Sequence, residues 1–507
     1  MKVLPFNSTN LCSALSNNYT GSDLIFEKRH FLYLEEYLEE LDARTILIEY
    51  EYLSKSFLSD FSFYYARCFV EYPKFCSRIH FFNEKITATT FKKALFGKSK
   101  ILERSYLGHI VVKPIPSTII GPTILKTYNR YLEDGERVFF GTRSYKAHLF
   151  GEVFELDTLA FQEQDKVVSA CATTAVWSML HKAVKKYDLK IKTPSEITRK
   201  AGITAVGGGR LFPNKGLTTQ QMCEVISDSG LVTEIRHIDS HEKGESQISY
   251  LKELILAYSK LEIPLILNLK VPTEDIVSYD PNHFGDHAVT ICGYKLNTSP
   301  KKIEPKDNIS LFADDLEKIY VHDDQWGPFA RIKFNIDSLT TPWTEFDNSL
   351  HRPSHATELI VPLYPSIRIS YDDVYLITRG IDAVLRLAFE DTIKEDFKWE
   401  IFIEDAQKFK QRIKQSKLKE CEKYTILDMS FPKYIWTASC FVKKTKVFEY
   451  VFDTTSLSSS MYGLVALGYE SKTKKYLKEF LDLNASLCSY FENDHCVDFL
   501  DFMKFTY

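Results

Sequence analysis

The stretch "EQDKVVSACATTAVWSMLHKAV", residues 163–184, decides how the chain is read, because it sets one cysteine among small residues at the head of a periodic apolar pattern. Ala172, Ala175, Val176, Met179, Leu180, Ala183, Val184 and Tyr187 recur at the i, i+3, i+4, i+7 spacing of a helix packed along one stripe. With Ser169 as N-cap, Cys171 falls in the first turn, where unpaired N–H groups and the positive end of the helix dipole favour a thiolate. A free thiol titrates near about 8.5, and a helix start beside an imidazolium lowers this substantially. The competing reading is packing, since a free cysteine is among the most often buried residues. A nucleophile needs a histidine and a third group.

Both lie downstream. In "NHFGDHAVTICGY" (282–294), Val289 and Ile291 alternate with Thr290 and Cys292, Gly293 ends the run, and His287 heads the strand in the aliphatic phase. A second strand follows in "EKIYVHDDQWGPFARI" (317–332), where Asp323 shares the phase of Ile319 and Val321. If the two strands pair antiparallel across the polar connection "KLNTSPKKIEPKDNISLFADD", the start of the first meets the end of the second and His287 meets Asp323. A carboxylate there fixes the tautomer and orientation of the imidazole, the third role in a Cys-His-Asp arrangement. Taken singly, His287 reads as a strand-end histidine and Asp323 as a turn residue.

With these residues in order, residues 164–328 resemble a papain-like cysteine peptidase, closest to the compact branch that removes double-glycine leaders from bacteriocins. The likeness covers 165 of 507 residues. It rests on a glutamine upstream of a cysteine that opens a helix, and on "NKGLTTQQMCEVISDSGL", similar to that branch's Gly-Leu-Thr helix start. "LKELILAYSKLEIPLILNL" resembles its helix and central strand, "HAVTICGY" its histidine strand, and "VHDDQWG" its "DP-x-x-G" turn. The resemblance implies Cys171 as nucleophile, His287 as base and then acid, Asp323 as orienting group, and Gln164 as side-chain donor to an oxyanion hole beside the Cys171 N–H. Two departures stand out. The glutamine usually stands six residues before the cysteine, where this chain has Asp165, so Gln164 requires a one-residue bulge and Gln162 is the other option. The spacing of 36 residues from His287 to Asp323 requires an inserted loop, and Asp324, at the family's usual proline, is the alternative third residue.

The rest of the chain bounds the function. With 64 basic and 68 acidic residues the net charge is −4, so no global field favours nucleic acid or an anionic membrane. The most basic segment, "KFKQRIKQSKLKECEK" (408–423), reads first as a solvated helix face and second as a dock for an acidic partner. No apolar run approaches the length that spans a bilayer, which gives the expectation of a cytoplasmic protein. Ten cysteines without a C-x-x-C pair point to reduced thiols rather than a disulfide framework or zinc ribbon. His283/His287 and His351/His355 have zinc-like spacing, but Gly285 and Pro353 interrupt them, so no metal and no cofactor are expected. The glycine run "AVGGGRLFPNKG" (205–216) lacks the phosphate-loop pattern and reads as a loop beside the cleft, with Arg210 as a substrate contact.

The expected architecture is α+β in three parts: an N-terminal α+β region at 1–150, a papain-like domain at 151–363, and a C-terminal α+β region at 364–507. The expected activity is hydrolysis of a peptide or amide bond through an acyl-enzyme, with deamidation or acyl transfer open to the same residues. A peptide or protein is the substrate, and the flanking regions are candidate surfaces for a protein partner. The competing class is an inactive papain-like scaffold serving as a binding or sensor protein.

Overall fold

The computed structural model describes residues 1–97, 99–132, 134–165, 167–168, 170–187, 190–202, 216–239, 247–273, 283–297, 309–347, 351–390, 397–457, 462–484 and 503. Its architecture is α+β, with helices packed on largely antiparallel sheets. Two compact units divide the chain: residues 1–240, 262–297 and 317–362 form one, and residues 241–261, 298–316 and 363–507 the other. No helix of the described residues is long and apolar enough to cross a membrane.

The first unit begins with a five-stranded antiparallel sheet in sequence order, Lys2–Pro5, Thr45–Tyr52, Cys76–Phe82, Tyr106–Val112 and Ile120–Leu125. The proline-rich stretch at 107–123 supplies two of these strands. Pro122 sits on the outermost, where a missing N–H costs no ladder bond, while Tyr106–Val112 is interior. A hairpin, Arg143–Leu149 with Glu152–Thr158, follows.

A nine-stranded sheet carries the rest of this unit. Its main path places the strands Val232–His237, His355–Leu363, Leu265–Pro272, Phe284–Leu296, Leu316–Asp323, Gly327–Phe334 and Leu339–Thr340 side by side. Gly135–Phe139 also joins it, pairing antiparallel with Phe284–Leu296 through Gly293 and Phe139. A boundary at 150 is therefore not where this compact unit ends. One cluster of buried side chains runs from Leu11, Phe31 and Ile46 through Phe139 and Phe161 to Cys292, Tyr320 and Phe329, so residues before and after 150 share a core.

The helix Cys171–Tyr187 lies against this sheet. Ala172, Ala175, Val176, Met179, Leu180 and Ala183 pack with Ile266, Ala288 and Ile360, as the stripe predicts. Its opposite face is covered too, because the preceding chain wraps it: Ser178 donates to Ala160 O, Arg143 to His181 O, and Lys182 to Thr142 O. The burial is thus wider than the one stripe read from the apolar residues alone.

The second unit centres on a sheet in which Ser310–Leu311, Phe397–Asp405, Tyr434–Val442, Thr445–Asp453 and Gly463–Gly468 are neighbours. The last four are antiparallel to one another, and Ser310–Leu311 joins Phe397–Asp405 in parallel. The helix Gln247–Ser259, expected within 151–363, belongs to this unit. Tyr258 packs edge-on against Trp436, Tyr371 donates to Glu253, and Tyr250 donates to Asp372. The basic segment is partly spent inside the same unit rather than being wholly a solvated face. Lys410 donates to Leu427 O and Met429 O, and Arg412 pairs with Glu404 and with buried Glu449, whose carboxyl is held down at about 2 although burial pushes it up.

Candidate functional site

Cys171 is the first residue of its helix, since Thr174 N donates to Ala170 O and closes the first helical turn. Ala170 therefore holds the capping position, and Ser169 lies outside the described residues. Thr174 Oγ1 adds bonds to Cys171 O at 2.8 Å and to Ala170 O at 3.2 Å, which tie the helix start. The Cys171 N–H is one of the donors that no helical carbonyl can reach. Its side chain is only half-buried, against the helix–sheet core, and so stays reachable.

Asp165 shapes the turn before the helix. Asp165 Oδ1 accepts from the N–H groups of Val167 and Val168, at 2.7 and 3.2 Å, and its Oδ2 accepts from Tyr65. Asp165 is thus buried, with both oxygens engaged as acceptors in shaping the turn. Gln164 is half-buried and lines a cleft of about 270 Å³ with Lys28, Arg29, His30, Thr118, Glu163 and Gln325. Gln162, the other option, is buried.

His287 lies near the start of Phe284–Leu296, directly opposite Leu269. Thr290 on the same strand donates to Ala175 O at 3.0 Å, which pins this strand to the Cys171 helix. At the far end of the neighbouring strand, Asp323 Oδ1 meets His287 Nε2 at 2.9 Å, the meeting that antiparallel pairing predicts. Gln325 N donates to the same oxygen and Trp343 Nε1 to the other, each at 3.0 Å. The Trp343 ring also stands edge-on to the imidazole at 5.4 Å. Three N–H donors fix this carboxylate, and the carboxylate fixes the ring.

The electrostatics follow from these contacts. Burial works against a charged His287, but the Asp323 charge and hydrogen bond, the Cys171 side chain as a hydrogen-bonding neighbour, and the Asp324 charge outweigh it and raise the imidazole well above its ordinary range. Burial likewise pushes the Asp323 carboxyl up, and His287, Gln325 and Trp343 together bring it below the usual carboxylate range. With Nε2 facing Asp323, Nδ1 is the ring nitrogen left for Cys171. The site therefore favours a protonated imidazole beside Cys171 at a helix start.

His287, Asp323 and Asp324 place one possible metal-ligand atom each within 4.8 Å of one another. The hydrogen bonding fits an oriented imidazole better: Nε2 carries the proton given to Asp323, and both Asp323 oxygens already accept N–H groups. His283 and His355 lie at or beside strand ends rather than on a helix. Arg210 and the run 205–215 lie outside the described residues. The sequence reading missed Trp343. Its signal was weak, since a tryptophan 20 residues beyond Asp323 has no fixed relation to it until the chain turns back. No protein-family model matches this sequence, and no curated protein matches it.

Proposed function

We propose that the chain is a thiol-dependent hydrolase built on a papain-like arrangement, cleaving a peptide or amide bond through Cys171, His287 and Asp323. The observation that carries this reading is the His287–Asp323 bond of 2.9 Å, with Cys171 as a further hydrogen-bonding neighbour of the same imidazole. In the resting pair the proton of the Cys171 thiol already resides on His287, and the Cys171 thiolate attacks the carbonyl carbon. The Cys171 N–H and the Gln164 amide are the donors for the developing oxyanion. His287 then returns its proton to the departing amine, and water, activated by the now neutral imidazole, releases the acyl group. A polypeptide is the proposed substrate.

The test is alkylation of the whole protein with iodoacetamide at about pH 6, mapped by peptide mass spectrometry, because an ordinary thiol is almost fully protonated there. Cys171 is expected to react selectively, and His287→Ala to slow it by about a hundredfold or more. A chelator is expected to leave the rate unchanged. Reaction of Cys171 no faster than that of exposed Cys421, in a folded protein, would remove the basis for thiol catalysis.

A further inference from the structure

Asp323 and Asp324 are adjacent, yet their surroundings differ. Both are buried, at 2% and 3% exposure, but Asp323 accepts three N–H groups while neither Asp324 oxygen meets a donor other than its own main-chain N–H. Asp324 Oδ1 lies 3.9 Å from His287 Nε2, one ångström beyond the Asp323 contact. His287 thus stands between a carboxylate that grips it and a carboxyl group that only faces it.

Titratable groups on several elements surround Asp324. From Phe284–Leu296 comes His287, and from its own segment comes Asp323. From the helix Arg29–Glu40 comes His30, whose Nε2 lies 2.8 Å from the Asp324 main-chain oxygen and which burial keeps below its ordinary range. From the turn before the Cys171 helix comes Glu163, ion-paired with Lys28 and 3.8 Å from His30 Nδ1. A buried carboxylate without donors is costly, and a second negative charge beside Asp323 costs more. Burial first, then the charges of Asp323 and Glu163, hold the Asp324 carboxyl up at about 7 against the pull of His287.

We propose that Asp324 is a positioning residue for His287: a buried carboxyl without side-chain donors, 3.9 Å from Nε2, whose charge, when ionised, adds to that of Asp323 and keeps His287 protonated to higher pH. This rests on the reading of Cys171 and His287 as a thiol–imidazole pair. It assigns the two aspartates different tasks, orientation for Asp323 and charge for Asp324.

The sign is fixed by Coulomb's law. An anion near Nε2 favours the imidazolium, so removing it must lower the pH at which His287 loses its proton. The experiment titrates the His287 resonance in whole protein labelled with ¹⁵N-histidine, assigned by its loss in His287→Gln, in wild type and in Asp324→Asn, which keeps the shape without the charge. The midpoint is expected to fall by about one pH unit or more in Asp324→Asn. Iodoacetamide labelling of Cys171 near about pH 5.5, where the wild-type carboxyl is still neutral, is expected to stay within about twofold. Should Asp324→Asn not fold, Asp324→Ser must show the same lowering and Asp324→Glu must retain the wild-type midpoint. An unchanged midpoint in the neutral variants, with Cys171 still selectively labelled, overturns the role of Asp324 alone. Loss of selective labelling in the wild type overturns the thiol reading beneath it.

Discussion

The most exacting contact at the residue scale is the hold on Asp323. Its carboxylate faces His287 with one oxygen and Trp343 Nε1–H with the other, so the tryptophan governs how the third residue meets the histidine. Replacing Trp343 with Phe keeps a ring edge-on to the imidazole and deletes one hydrogen bond to a charged group. The rate of Cys171 alkylation is expected to fall by about tenfold, with the circular dichroism spectrum unchanged. An unaltered rate would make Trp343 a packing residue only. The placement of Cys171, His287 and Asp323 was legible in the sequence because each is tied to a local pattern: a helix start, a strand phase, a strand end. Asp324 was visible only as an ambiguity, since adjacent aspartates read alike until one is found gripping the imidazole and the other facing it without donors.

Local periodicity carries far at the scale of elements, as in the helix Arg29–Glu40 and the antiparallel pair Tyr434–Val442 and Thr445–Asp453. Thr218 caps Thr219–Ser227 through a reciprocal bond with Gln221, after Gly216 at φ +83°, which gives a physical reason for the Gly-Leu-Thr spacing. What periodicity does not give is which strand pairs with which. Gly293 records one such pairing: a Cβ there would lie 2.7 Å from Phe139 Cδ1 and 2.8 Å from Val138 O, inside contact distance of a backbone atom that cannot step aside. Gly293→Ala is therefore expected to cost about 1–3 kcal/mol, read as a lower urea midpoint. No change in midpoint would mean that Gly135–Phe139 is not held tightly against the His287 strand.

The unit of folding differs, at the scale of the whole molecule, from the stretch that carries the motifs. Residues 151–363 contain Cys171, His287 and Asp323, but they lack Leu11, Phe31, Ile46 and Phe139, which share a buried cluster with Cys292, Tyr320 and Phe329. They also contain Gln247–Ser259, whose Tyr258 needs Trp436 and whose Glu253 needs Tyr371. Expressed alone, residues 151–363 are expected to show no cooperative unfolding transition in urea, because both sets of apolar surface would stay in water. A sharp transition from that fragment would restore the boundary at 150. By itself the sequence determined the α+β class, much of the helix and strand pattern, and the expectation that His287 meets Asp323, because helix and strand periods and strand ends are set by neighbours a few positions apart. Only the tertiary structure decided that residues before 150 share a core with the strands that carry His287 and Asp323, that Trp343 returns to hold Asp323, and that Asp324 is buried without side-chain donors. Each of those depends on distant segments meeting, and sequence spacing does not measure that distance.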